Sequence, residues 1–375
     1  MPDDSVAPPR SSIPREPLII VTLAAALLAI VGLRQFSGIL GPLILALVLV
    51  IAVQPIRDWA VGRGLPEWFA TMVTLLAVYA IVIGFALALI LTGAQFASAL
   101  TEYEPQFNEF VDDVSQKMAD LGIGSEQIRS MLSDVDLGGL VDVATNLIGG
   151  LAGTITSLFF IIVLLFFVAT DAGAFTSKLR AVPSIGSRTA EAFGVFAAGT
   201  RSYLVVSTLF GLVVALIDVI GLYALGIRDA WLWGLLAFLT NYIPNIGFVI
   251  GLIPPTIIAL LDHGIGTAIA VIVMYSAVNF VLQTLIQPRV VGNSVGLSGS
   301  LTFISLIFWA SIFGGVGAIL AIPLTLLVKA IFIDVSPDRS WIGPLLSSTP
   351  HQADGAPQPK RRSHRTKETR DDGAR

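Results

Sequence analysis

The segment Asn241-Tyr242-Ile243-Pro244-Asn245-Ile246-Gly247 interrupts an apolar run that extends from Trp231 to Leu261. Pro244 lacks an amide donor and crowds the carbonyl four residues earlier. Gly247 admits backbone conformations that other residues avoid. A second apolar run, from Leu301 to Ile333, is interrupted by Gly314-Gly315-Val316-Gly317. Lipid cannot satisfy a free N–H or C=O, so irregular backbone at membrane depth is buried in protein or lines a wet cavity. Paired Gly/Pro-interrupted segments point to a solute path. The expectation is an all-α, polytopic integral membrane protein that moves a solute.

Composition agrees. The chain is 55% apolar and 13% charged, with a mean hydropathy of +0.83. A soluble domain carries about 25% charged residues. Cysteine is absent, which excludes disulfides and thiolate metal sites. Apolar stretches read as spans fall near residues 18–33, 39–53, 69–94, 150–170 and 203–225. The first interrupted run, a stretch at 265–287 and the second interrupted run follow them. Together they make about eight hydrophobic helical elements. The first two stretches are short, which allows a thin or tilted hairpin.

The expected organisation is a disordered tail over 1–17, three transmembrane helices over 18–94, an acidic helical insert over 95–149, a transmembrane core over 150–335 and a disordered basic tail over 336–375. The first tail mixes Pro, Ser and both charges, unlike a cleavable signal peptide. The insert carries Glu102, Glu104, Glu109, Asp112, Asp113 and Asp120, with Lys117 and Arg129 against them. Its apolar residues recur at helical spacing, as in Phe107, Val111, Val114 and Met118. Cytoplasmic loops collect Lys and Arg. The insert is therefore expected outside and Arg57, Arg63, Lys178, Arg180, Arg188 and Arg201 inside. Lys360, Arg361, Arg362 and Arg365 join them in the C-terminal tail. Both termini are then cytoplasmic, in a bacterial plasma membrane.

Each interrupted run either crosses once or dips in and returns as a re-entrant hairpin. Both choices leave the C-terminus inside. Arg289, by the charge rule, and the length of the first run favour hairpins.

The candidate substrate path includes Asn241, Pro244, Asn245 and Gly247 at the first break. It also includes Gly314, Gly315 and Gly317 at the second. A break between half-helices exposes N–H groups at one end and C=O groups at the other, which can hold an ion. A proline kink capped by Asn side chains, or close packing of small residues, explains the same patterns without a ligand. Asn279, Gln283 and Gln287 step by four and share a helix face, turned to a partner helix or to water. Asp218 lies deep in 203–225. A carboxylate at mid-membrane is costly and marks an ion or proton path by default. A hydrogen-bonded Asp joining two subunits is the structural alternative. Replacing Pro244 and Gly247 by Ala is expected to favour one continuous helix.

No Gly-rich phosphate loop is followed by Lys and Ser/Thr. His263, His351 and His364 lack zinc spacing. The expectation is a protein that is not an enzyme, with no cofactor, no metal site and no catalytic residues. The basic tail suits anionic lipid better than nucleic acid.

The quoted first break, Pro254-Pro255, Gln287-Pro288-Arg289-Val290-Val291-Gly292-Asn293-Ser294-Val295-Gly296-Leu297 and Phe313-Gly314-Gly315-Val316-Gly317-Ala318-Ile319-Leu320-Ala321-Ile322-Pro323 together resemble the autoinducer-2 exporter (AI-2E, PerM-like) family of bacterial membrane proteins. The likeness runs from about Leu18 to Asp334. It implies a multi-span helical transporter, homo-oligomeric and without a cofactor. Members are associated with autoinducer-2 export, and some with sodium–proton antiport. Asn245 and Asp218 depart from the family's pattern, and both bear on the substrate. Three readings follow: a secondary or passive exporter of a small polar solute, autoinducer-2 or a like compound; a Na+/H+ antiporter using Asp218; and a non-transporting membrane scaffold.

Overall fold

The computed structural model describes residues 15–102, isolated positions between 105 and 120, and residues 163–167, 186–287 and 297–335. The described residues are helical and contain no strand. The expected insert helices, the 150–170 span apart from 163–167, Lys178, Arg180, Pro288, Arg289, residues 1–14 of the first tail and the whole expected tail over 336–375 lie outside them.

Three helices come first: α1 (Arg15–Gln35), α2 (Ser37–Gly62) and α3 (Glu67–Glu102). Phe36 alone separates α1 from α2. The 26-residue α2 passes through Pro42 and Pro55 and is not short. At 1.5 Å per residue it is about 39 Å long, enough for a full crossing. The 36 residues of α3 run past the expected end at 94 to Glu102.

The 39-residue α4 (Gly186–Ala224) begins well before the expected span at 203. Arg188 and Arg201 therefore ride on a helix and not on a loop. After it come α5 (Ala230–Thr240), α6 (Gly247–His263) and α7 (Ile265–Asn279), which continues as a π-helical segment, Phe280–Ile286. The last pair is α8 (Gly299–Ile319) and α9 (Ala321–Lys329), ending in a π-helical turn, Ala330–Asp334. Ser298 caps α8 by accepting from the Leu301 amide at 3.3 Å. Among the described residues, five helical stretches are long and apolar enough to cross a membrane, and apolar side chains such as Leu209, Leu212, Leu216 and Ile220 of α4 stand exposed. That pattern is expected where lipid is the solvent. The protein is a multi-pass membrane protein.

Charge separates the two ends of the bundle. At one end, Arg201 donates to the Ile51 carbonyl at 3.4 Å and to Gln54 at 3.1 Å. There Lys329 pairs with Asp334 at 3.0 Å, and Arg188 donates to the Asp334 carbonyl at 3.4 Å. At the other end, Arg228 pairs with Glu102 at 3.3 Å, and Gln95 donates to Asp229 at 2.9 Å. These bonds pin the end of α3 to the α4–α5 turn. His263 reaches the same end, since a Cβ at Gly226 would lie 3.3 Å from its Nε2.

Between the ends, small residues let helices close in. A Cβ at Gly234 of α5 would collide with Val219 of α4, and one at Gly221 of α4 with Met274 of α7. Membrane helices use such small-residue contacts because lipid supplies no hydrophobic drive between them. The core so formed holds Leu222, Trp233, Ala237, Ile258, Val271 and Tyr275.

Candidate solute path

Both interrupted runs double back. Asn245 takes a left-handed φ of 63°, between the end of α5 and the start of α6. A short polar side chain tolerates that region better than other non-glycine residues. After the turn, Gly247 seats against the Thr240 carbonyl so closely that a Cβ would collide with it. A Cβ at Gly251 would come within 3.2 Å of the Ala237 Cα. In one straight helix, residues fourteen apart stand about 21 Å from each other. The run is therefore a hairpin of α5 and α6. It leaves the end marked by Asp229 and returns to the same end at His263.

The second run behaves alike. Gly314 has φ 62° and ψ −141°, outside helical values. By length α8 counts among the crossing helices, but Gly314 turns the chain inside it. Gly317 then packs against the Trp309 carbonyl, where a Cβ would collide. Trp309 donates its indole N–H to the Thr325 hydroxyl at 3.0 Å. This hairpin returns to the end marked by Lys329 and Asp334, opposite the first.

The two tips meet. Ile243, from the first turn, packs against a buried cluster that includes Trp309, Phe313 and Leu320 of the second hairpin. Tyr203 of α4 ties them further. It packs with Ile322 and Leu326 of α9, and its hydroxyl donates to the Tyr242 carbonyl at 2.7 Å. Thr208 and the Tyr242 hydroxyl share a second hydrogen bond of 2.7 Å. Sequence reading missed Tyr203, Thr208 and Tyr242. Their only signal was Tyr242's place inside the first break.

Polar side chains converge behind the first tip. Asn241 donates to the Ser207 carbonyl at 2.8 Å, facing Gly211, which leaves room for it. The Gln283 Nε2 donates to Asn241 Oδ1 at 2.8 Å and to Asn279 Oδ1 at 2.7 Å. Asn279 donates to the Tyr275 carbonyl at 2.9 Å. One chain of amides thus links α4, the α5–α6 turn and α7. In lipid each such bond contributes about 0.6–2 kcal/mol. Gln287 ends the π-helical segment, half-buried, and none of the described hydrogen bonds joins it to this chain.

The other candidates divide. Pro244 is half-buried in the turn, and Asn245 is exposed with its backbone fixing the reversal. Gly314 and Gly315 are exposed, and Gly317 is buried in the second hairpin. At the first break, a Cβ at Gly247 would collide with the Thr240 carbonyl in the present hairpin, and the left-handed residue of the reversal is Asn245 rather than Pro244. Asp218 is fully buried on α4, away from both tips. Among the described residues, no cluster of His, Cys, Asp and Glu could hold a metal ion.

Comparison with known proteins places this architecture. The family model described as AI-2E family transporter matches residues 18–336, most of the chain. The chain is 29% identical over 320 residues to the AI-2 transport protein TqsA of Escherichia coli (strain K12), covering 83% of this chain and 90% of that protein. It is 29% identical over 315 residues to the putative transport protein YhhT of the same strain, covering 83% and 89%. A putative transport protein of Mycobacterium tuberculosis is 28% identical over 326 residues, covering 81% and 85%.

Proposed function

The chain belongs to the AI-2E transporter family, and from that premise we propose that it exports a small, uncharged polar solute between its two hairpin tips. The supporting observation is the meeting of the tips at Ile243 with the amide chain of Asn241, Gln283 and Asn279 behind them. Half-helices that stop at mid-depth line solute sites in other transporter architectures. The 11 residues of α5 span about 16 Å, half the hydrocarbon thickness. The hairpins are accordingly re-entrant, one from each face of the membrane.

Amides donate and accept equally, so they suit hydroxyl and carbonyl groups rather than a fixed charge. In this structure they satisfy one another, an arrangement we take as the closed state. Opening exchanges those bonds for bonds to the solute. Pro244, Asn245, Gly247, Gly314, Gly315 and Gly317 shape the tips. Autoinducer-2 is the first solute to test, because TqsA carries it in its name.

The membrane is the bacterial plasma membrane. The end bearing Arg57, Arg188, Arg201 and Lys329 faces the cytoplasm with both termini, and the acidic end faces outward. The exposed apolar face of α4 meets lipid or a second copy in a homo-oligomer.

The experiment is efflux from liposomes preloaded with autoinducer-2, with glucose and with a charged solute. Autoinducer-2 should leave faster than from empty-vesicle controls, and Asn241→Ala with Gln283→Ala should slow it severalfold. Equal leakage of all three solutes, or unchanged efflux from the double variant, overturns the reading.

A further inference from the structure

Asp218 and Tyr275 are two of the buried polar side chains that the amide chain leaves out. Asp218 is 0% exposed on α4, and neither carboxyl oxygen has a hydrogen-bond partner. Tyr275 is 0% exposed on α7, and its hydroxyl has none either. The two lie close enough to interact electrostatically. The neighbouring pair Gly221–Met274 holds α4 and α7 together at this level. A buried polar group without a partner costs about 1–3 kcal/mol, and an unpaired buried charge far more. Packing does not require this pair to be polar, since Leu222, Val271 and Trp233 around it are apolar and buried.

Their position is informative. Ser207, Gly211 and Asp218 share one face of α4, at offsets of four and eleven residues. Tyr275, Asn279 and Gln283 step by four along α7, which runs antiparallel beside it. Asp218 and Tyr275 therefore continue the same polar seam by about 16 Å from Ser207 toward the acidic end. From there, six residues of α4 lead out to its end at Ala224, about 9 Å, just short of Gly226.

We propose that Asp218 and Tyr275 form a proton-binding site that couples proton exchange with the acidic end to the amide chain, which is closed while the proton is bound and opens when it leaves. This rests on the solute path proposed above. A proton from outside water adds to a carboxylate oxygen of Asp218, giving the neutral acid that burial without a counter-ion demands. The Tyr275 hydroxyl has no partner in this structure; a hydroxyl can accept from the acid or donate to the carboxylate, so a small approach of α4 and α7 would let it partner Asp218. Loss of the proton leaves a charge that only water or a moved helix can relieve, and the seam opens.

Few other groups bear on this site among the described residues. From α5 the facing residues are Trp233, Gly234 and Ala237, none titratable. From α7 they are Tyr275 and Met274. Asp262 and His263 of α6 and Glu102 of α3 lie beyond Gly226 at the acidic end, with Arg228 and Asp229 from the α4–α5 turn.

Infrared difference spectra of the purified protein between acidic and alkaline buffer test the site without any solute. Beyond the bands of the other carboxyls, which Asp218→Asn leaves unchanged, one further carboxylic C=O band that appears on acidification is expected, lost in Asp218→Asn, retained in Asp218→Glu and moved to a different midpoint pH in Tyr275→Phe. Absence of the band, or its persistence in Asp218→Asn, overturns the proposal. Solute efflux from liposomes with and without a pH gradient tests the coupling. The gradient should change wild-type efflux severalfold and leave Asp218→Asn unaffected; a wild type indifferent to the gradient overturns coupling. If no solute moves under any condition, the transport reading fails while the infrared band still decides the proton site.

Discussion

The Trp309 indole N–H and the Thr325 hydroxyl lie 3.0 Å apart although sixteen residues separate them. A straight helix would hold them about 24 Å apart. This bond closes the second hairpin across its width, and Trp309 also stacks on Phe313 with centroids 5.9 Å apart.

Trp309→Phe and Thr325→Val should each lower thermal stability in detergent by about 0.5–1.5 kcal/mol, the net value of one hydrogen bond. The double variant should lose little more than the worse single one. Fully additive losses would show that the bond does not join the two arms.

Gly247→Ala should destabilise by about 1–3 kcal/mol, because its Cβ meets the Thr240 backbone carbonyl, which cannot swing away. Gly251→Ala should cost less, since its nearest neighbour is the Thr240 hydroxyl at 3.0 Å. Melting temperatures of the two variants decide the order.

Asn245 is exposed and left-handed, so its conformation matters more than its amide. Asn245→Gly should preserve both stability and efflux. Asn245→Ala should cost about 1 kcal/mol from the left-handed penalty. A change of solute selectivity in Asn245→Gly would instead show that the amide touches the solute.

Gln283→Ala strips partners from Asn241 and Asn279 at once. A double-mutant cycle of Asn241→Ala with Gln283→Ala should give a coupling energy of about 0.5–2 kcal/mol. A coupling of zero, measured by thermal unfolding, would mean that the two amides act separately.

The absence of native cysteine makes topology directly testable. Ser115→Cys in the acidic insert should react with an impermeant thiol reagent added to intact cells. Ser187→Cys, beside Arg188, should react only after permeabilisation. The reverse labelling pattern would invert the orientation.

Much of this protein was legible without coordinates. The membrane class follows from composition, because transfer of apolar side chains and backbone into lipid depends on local sequence alone. The breaks at Pro244–Gly247 and Gly314–Gly317 follow from backbone chemistry that acts within a few residues. The burial of Asp218 was likewise readable from its apolar surroundings.

What tertiary structure alone decided was direction and partnership. A helix break does not reveal whether the chain bends or reverses; that was settled by the positive φ at Asn245 and Gly314 and by glycines seated against Thr240 and Trp309. The spacing of Asn279 and Gln283 placed them on one face but could not name Asn241, 42 residues from Gln283, as their partner. Nor could it bring Tyr275 beside Asp218. Those meetings depend on how closely α4, α5 and α7 approach at Gly211, Gly221 and Gly234, and close approach belongs to the shapes of two surfaces together rather than to either segment.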